Sequence, residues 1–165
     1  LYQEALAIWR AARPAGHPDI ATSLHNLAYL YQQQGRYDAA EPLYQEALAI
    51  RRAALPAGHP DIAISLNNLA DLYQHQGRYE AAEPLYQEAR AIQRAALPAG
   101  HPDIAVSQNS LASLYKELGR YDAADPLRQK VQWIQRTTLP TENLGEVTSL
   151  ARVKKFISGA FAKYN

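Results

Sequence analysis

The sequence predicts an all-α protein, a right-handed solenoid of stacked antiparallel helix pairs that ends in a C-terminal capping helix. Two repeated strings lead to this fold class. LYQEALAI begins at residues 1 and 43 and returns as LYQEARAI at residue 85, and GHPDIA begins at residues 16, 58 and 100. Both strings therefore recur every 42 residues. Because one helix pair of this size cannot bury its apolar stripe alone, successive pairs must stack and share one core.

The first helix of each period is predicted from its apolar spacing and its end signals. In the central period we expect it from Pro60 to Gln76. Proline is tolerated in a first turn, Asp61 complements the helix dipole, and Gly77 suits the left-handed residue that follows a helix. The residues predicted to face the core, at spacings of three and four, are Ile62, Leu66, Leu69, Ala70, Leu72 and Tyr73.

The second helix of the central period is predicted from Tyr79 to Ala96. Pro84 should then lie near its first turn, and Pro98 with Gly100 should close it. The residues predicted to be buried on this helix are Ala82, Leu85, Tyr86, Ala89 and Ile92.

The period divides the chain into five segments. We expect residues 1–16 to be the second helix of an incomplete N-terminal repeat, 17–58, 59–100 and 101–140 to be three repeats, and 141–165 to be a capping helix or helices. A membrane-surface helix and the start of a further domain are the alternatives for 141–165. Since the chain begins inside a repeated string and not with Met, we expect the natural polypeptide to extend further at its N-terminus.

Composition narrows the classes of protein. The net charge is +1, so nucleic acid and anionic membranes are not expected as partners. The chain has no cysteine, which excludes a disulfide framework, a thiolate metal site and a cysteine nucleophile. No apolar run is long enough to span a bilayer and no signal peptide is visible, so we expect a cytoplasmic protein.

The recurring residues resemble tetratricopeptide repeats, in particular the 42-residue subclass found in kinesin light chains. The family pattern of Leu, small, Tyr, Gly, Tyr, Ala, aromatic and Ala is carried by Leu69, Ala70, Tyr73, Gly77, Tyr79, Ala82, Tyr86 and Ala89, and again by Leu27, Ala28, Tyr31, Gly35, Tyr37, Ala40, Tyr44 and Ala47. The LNNLA string from Leu66, the GRY turn, the AEPLYQEA helix and the GHPDIA opening carry the kinesin-light-chain character.

The resemblance implies a peptide-binding groove lined by polar positions of the first helices. Carried onto this chain, those positions are His25, Asn26, Tyr29, Gln32 and Gln33, then Asn67, Asn68, Asp71, Gln74 and His75, then Asn109, Ser110, Ser113, Lys116 and Glu117. Asparagine suits such a groove because its amide both donates to and accepts from a peptide backbone. The alternative is that one Asn per repeat bonds a neighbouring helix and fixes the stacking. His25, Asn67 and Asn109 stand where a carboxylate clamp would need Lys, so capture of a peptide's terminal carboxylate is not expected.

Three other repeated sets have structural interpretations. Equivalent residues of stacked repeats lie about 20 Å apart, so His17, His59 and His101 cannot share one zinc ion and are predicted to open the first helices. The tyrosine sets, Tyr31, Tyr73 and Tyr115 and Tyr2, Tyr44 and Tyr86, are predicted as core ladders. Arg36, Arg78 and Arg120 are predicted to form ion pairs at the turn with the neighbouring Asp38, Glu80 and Asp122.

The sequence thus favours a protein-interaction scaffold that binds a partner's peptide segment. It holds no glycine-rich phosphate loop, HExxH or GxSxG motif, so neither enzymatic activity nor a cofactor or metal is expected. One alternative is a structural array that forms homo-oligomers through its exposed ends. Another is a module that regulates or positions an enzyme domain elsewhere in a larger protein.

Overall fold

The computed structural model describes residues 2–14 and 16–138, and in this part of the chain it contains seven α-helices and no strand. The helices are α1 (Tyr2–Ala12), α2 (Pro18–Gln33), α3 (Tyr37–Ala54), α4 (Pro60–His75), α5 (Tyr79–Ala96), α6 (Pro102–Glu117) and α7 (Tyr121–Thr138). They pack as three antiparallel pairs, α2 with α3, α4 with α5 and α6 with α7, preceded by α1. The predicted helical solenoid is confirmed, and the capping helix predicted for 141–165 lies outside the described residues.

Each first helix begins at a histidine, as predicted. The backbone of His59 is extended, and its Nδ1 accepts a hydrogen bond from the backbone N–H of Asp61 at 3.2 Å. His17 and His101 cap α2 and α6 in the same way, at 3.2 Å each. This bond satisfies one of the N–H groups that the start of a helix leaves unpaired. In many helices a short polar side chain at the N-cap, such as Ser or Asp, accepts this bond.

The first helix of each pair ends at a glycine in the left-handed conformation. Gly77 has φ 72°, and the N–H of the next residue, Arg78, closes back on the carbonyl of Tyr73 at 2.8 Å. This turn starts α5 at Tyr79, as the sequence predicts. Pro84 consequently lies in the second turn of α5, one turn later than expected. Its ring removes only the bond to the carbonyl of the exposed Glu80, and the helix continues.

The core runs through the stacked pairs without a break between α2 and α7. Its largest cluster includes the buried side chains of Tyr44, Leu66, Leu72, Tyr86 and Leu114, each at most 1% exposed. The tyrosine ladders are confirmed for Tyr44, Tyr73, Tyr86 and Tyr115, all of which are buried. Burial of each large apolar side chain contributes about 1.5–3 kcal/mol, so the shared core holds successive pairs together. Among the described residues, no helix is long and apolar enough to cross a membrane.

Arg78 and Arg120 have ionic partners other than those predicted. Arg78 Nη1 donates to Glu41 Oε2 at 2.8 Å, and Arg120 Nη1 donates to Glu83 Oε2 at 2.8 Å. Both carboxylates belong to the second helix of the preceding pair and not to the turn itself. The guanidinium of Arg78 also lies 4.0 Å above the ring of Tyr73. Both arginines therefore bond across the boundary between successive repeats and not within their own turn.

Candidate interaction surface

The first helices α2, α4 and α6 lie on the inner side of the array. Short side chains bridge them: Asn68 Nδ2 reaches a ring nitrogen of His25 at 3.2 Å, and Asn67 Nδ2 donates to Ser107 Oγ at 2.6 Å. The second helices are bridged by ion pairs between long side chains, Arg10 with Glu46 at 2.8 Å and Arg52 with Glu88 at 2.7 Å. The side chains that bridge the first helices are shorter than those that bridge the second helices, and α4 also packs directly against α6, so we take α2, α4 and α6 as the inner side of the array. We call the surface that these three helices present the groove.

Two glutamines of the groove are fixed by bonds within the array. Gln32 accepts from the hydroxyl of Tyr44 at 3.0 Å and donates to Asp71 Oδ2 on the next first helix at 2.6 Å. Gln74 repeats the arrangement, accepting from Tyr86 at 3.1 Å and donating to Ser113 at 3.4 Å. Burial raises the pKa of both tyrosines, so they remain hydroxyl donors. Gln32, Gln74 and Asp71 thus hold neighbouring pairs in register.

Other predicted groove residues are turned to solvent. Tyr29 is 53% exposed. Predicted groove residues that are likewise exposed or half-buried include Asn26, Gln33, Asn109, Ser113, Lys116 and Glu117. His75 lies at the same surface, and its ring stacks at 3° on Tyr37 with 6.2 Å between centroids. The predicted asparagines therefore divide. Asn26 and Asn109 are open to a ligand, whereas Asn67 and Asn68 also bond a neighbouring first helix.

Asn67 still has an unused acceptor. Its Oδ1 is buried and has no hydrogen-bond partner in the described part of the chain. The side chain borders a cavity of about 110 Å³ that Ile64 and Val106 also line. Ile64 is 38% and Val106 is 58% exposed, so the cavity joins an unpaired acceptor to open apolar surface. A second, shallow cavity of about 280 Å³ lies between α6 and α7, beside Asn109, Ser113 and Lys116.

Ile64 and Val106 are groove residues that the sequence prediction missed. The signal that could have found them is the difference between copies. Residues 17–58 and 59–100 differ at seven positions, namely Thr22/Ile64, His25/Asn67, Tyr29/Asp71, Gln33/His75, Asp38/Glu80, Leu48/Arg90 and Arg51/Gln93. The first four pairs are spaced by three and four residues on one side of the first helix. We call these four positions, with their equivalents Val106, Asn109, Ser113 and Glu117, the variable stripe.

The groove is close to neutral at its α2 end. His25 packs edge-on against Tyr44, with 5.5 Å between ring centroids. Burial and then the nearby charge of Arg51 lower the pKa of His25 to about 4, so the ring is neutral at physiological pH. Arg51 is itself buried, and its Nη1 donates to Ser65 Oγ at 2.7 Å. In the described residues no group of three His, Cys, Asp or Glu side chains could hold a metal ion.

Comparison with known proteins agrees with the sequence resemblance. Two sequence patterns described as tetratricopeptide repeat match residues 61–131 and 20–61. A kinesin light chain homologue of Podosopora anserina with nearly identical repeats of this type is 32% identical, with a TM-score of 0.73 over 87% of this chain and 68% of that one. A variant of that protein with one substitution is 31% identical, with a TM-score of 0.74 and the same coverage.

A more distant structure shows the same fold. BtubC (BKLC) of P. vanneervenii is 24% identical with a TM-score of 0.75, covering 82% of this chain, which spans 54% of the length of BtubC. No curated protein sequence matches the chain significantly. The period, the seven helices and these matches together show that the chain belongs to the tetratricopeptide repeat family, with repeats of the kinesin-light-chain-like kind.

Proposed function

We propose that the chain binds an extended peptide segment of a partner protein in the groove of α2, α4 and α6. Tetratricopeptide repeats generally mediate protein–protein interactions. The proposal goes further in naming the surface and the form of the ligand.

The observation that carries this proposal is the position of the variable stripe. Copies that are otherwise nearly identical keep most of their core residues, with Leu48/Arg90 and Arg51/Gln93 as the exceptions, yet four of their seven differences fall on one side of the first helix. At the second pair these positions change Thr22 to Ile64 and Tyr29 to Asp71, which replaces polar by apolar and aromatic by acidic side chains. A surface used only for stacking has no reason to vary in chemistry while the stacking itself is kept.

The chemistry of the groove suits a peptide backbone. Asn26 and Asn109 expose amides that can both donate and accept, and Asn67 Oδ1 is a buried acceptor that a peptide N–H could reach. Beside that acceptor, Ile64 and Val106 offer apolar contact for a side chain. Polar groups at intervals along an elongated surface fit an extended segment better than a compact ligand.

The test uses peptides selected from a random library on the immobilised chain, each then measured by calorimetry. The groove variant N26A/Y29A/N109A/K116A changes only exposed side chains that no interhelical bond described above requires. We expect it to weaken the selected peptides about tenfold or more. The matched variant Q129A/Q132A/Q135A removes exposed polar side chains of α7 and should bind like the parent.

Equal affinities for the groove variant and the parent would refute binding in the groove. The alternative of a self-associating array makes a different prediction, because it needs no peptide. Sedimentation would then give a mass that rises with protein concentration, and the groove variant would leave that rise unchanged.

A further inference from the structure

A third cavity lies on the other side of α6, away from the groove. It has a volume of about 370 Å³ and is bordered by α5, α6 and α7. Its walls include Arg94 from α5, Ile104 and Gln108 from α6, and Lys130, Trp133 and Ile134 from α7. The cavity belongs to the third pair, and comparison with the earlier pairs shows which residues open it.

The ion pair that closes this region in the earlier pairs is missing here. Arg10 and Arg52 bind Glu46 and Glu88, both within 2.8 Å. In the third pair the equivalent arginine is Arg94, but the position of the glutamate is taken by Lys130. Among the described residues, no carboxylate pairs with either cation. Within the part of the chain that the structure describes, two positive charges therefore border one cavity without an anion between them.

The cavity also holds an unsatisfied buried acceptor. Gln108 stands where the earlier pairs have the fully buried Leu24 and Leu66. It is only 4% exposed, it lines the cavity, and its Oε1 has no hydrogen-bond partner within the described residues. Leaving a buried acceptor unpaired is unfavourable, so a ligand that donates to it recovers this loss.

The third difference from the earlier pairs at this cavity is a tryptophan. Trp133 is 56% exposed and occupies the position of Ala49 and Ala91 in the earlier pairs. With Ile104 and Ile134 it gives the cavity an apolar wall. Three substitutions, by Gln108, Lys130 and Trp133, thus meet in one place and change a packed junction into an open site.

We propose that this cavity binds a small carboxylate that has an apolar body and an N–H donor, such as an N-acylated apolar amino acid. The carboxylate lies between Arg94 and Lys130, whose charge-assisted bonds favour it over a neutral group. The apolar body packs against Trp133 and the isoleucines, and the N–H donates to Gln108 Oε1. The volume is in the range of small-molecule sites and too small for a folded partner. This inference does not depend on the groove.

The experiment titrates N-acetylleucine into the full chain carrying W9F, so that Trp133 is the single tryptophan. We expect a saturable change in the emission of Trp133. N-acetylleucinamide lacks the carboxylate and should bind about tenfold more weakly or worse. K130E restores the glutamate and Q108L the leucine of the earlier pairs, and each should weaken binding about tenfold. Circular dichroism checks that both variants fold.

A matched control separates the cavity from charge alone. E88K also sets a lysine against an arginine, Arg52, but that junction keeps Leu66 and Ala91. A chain carrying W9F and E88K should therefore bind one equivalent of N-acetylleucine, as the W9F chain does.

Three results would overturn the proposal. The first is equal binding of the acid and the amide, and the second is binding that survives both K130E and Q108L. The third involves Glu142 and Glu146, which lie outside the described residues. If E142Q/E146Q shifts the emission of Trp133 without ligand and strengthens binding of N-acetylleucine, the cavity is filled by the chain's own carboxylates.

Discussion

At the scale of single residues, His25 makes the stability of the array depend on pH. Its pKa in the folded state is about 4, against 6.5 in an unfolded chain. Below about pH 6.5 the unfolded state binds a proton that the folded state does not bind. The free energy of unfolding is therefore highest above this pH and falls as the pH drops towards 4. The neutral ring also accepts the bond from Asn68. Allowing for its partial exposure, we expect a loss of about 1–2 kcal/mol from pH 7 to pH 5.

Urea unfolding of the parent and of H25N at the two pH values measures this effect. H25N introduces the residue that the next pair has at Asn67 and should remove most of the dependence. H75N changes an exposed histidine beside Asp71 and should keep it. If the parent and H25N lose the same free energy of unfolding on acidification, His25 is not the titrating group.

The buried pair of Arg51 and Ser65 gives a second prediction at this scale. Arg51 is 8% exposed, burial lowers its pKa, and its Nη1 donates to Ser65 Oγ at 2.7 Å. S65A removes the shorter of the two bonds of this buried guanidinium nitrogen, leaving only the bond to the carbonyl of Asp61 at 3.3 Å, and should lower the free energy of unfolding by about 1–3 kcal/mol. R51Q copies the next pair, where Ser107 donates to Gln93, and should cost less than about 1 kcal/mol. Urea unfolding compares the two, and a larger loss for R51Q would contradict the argument.

At the scale of the helix pair, Gly77 sets the turn between α4 and α5. Its φ of 72° suits glycine, and a Cβ there would meet no atom within 4 Å. G77A should therefore lower the free energy of unfolding by backbone strain alone, about 1–2 kcal/mol. Gly58 has equal space but no left-handed backbone, so G58A is the matched control and should change stability by less than about 0.5 kcal/mol. Equal losses in thermal unfolding would refute strain as the cause.

The same element shows what sequence could and could not predict. The bounds of α5 and the end of α4 near Gly77 follow from local residues, and the structure agrees with them to within one residue. The partner of Arg78 was predicted wrongly as Glu80, because its true partner Glu41 lies 37 residues away across a repeat boundary. Helical spacing places Asn68 in the groove but cannot tell that a neighbouring helix bonds it. The ends of helices are determined by neighbouring residues in the sequence, whereas the bonding partners of side chains depend on the offset between stacked pairs.

At the scale of the whole molecule, the buried core that stacks the pairs and the exposed positions of the variable stripe are different residues of the same helices, and only a few stripe residues, such as Asp71 and Asn67, also bond a neighbouring first helix. Buried positions and the bonds of Gln32 and Gln74 fix each pair against the next, and the core recurs almost unchanged. The cavity beside Trp133 follows the same rule, since only substitutions in one copy created it. An array of this kind changes its ligands by altering a few positions per repeat without altering the fold.

The last prediction tests this separation by making the first two pairs alike. T22I/H25N/Y29D/Q33H gives α2 the variable stripe of α4. These positions are exposed or half-buried and lie outside the main core, so the midpoint of thermal unfolding at neutral pH should stay within a few degrees of the parent's. Peptides selected on the parent should bind about tenfold more weakly, because two of the three first helices then present the same side chains. The reverse exchange, I64T/N67H/D71Y/H75Q, gives α4 the variable stripe of α2. It should shift peptide preference in the opposite sense, towards peptides that suit the residues of α2. Unchanged affinity in both exchanges, with the fold intact, would remove the variable stripe from recognition.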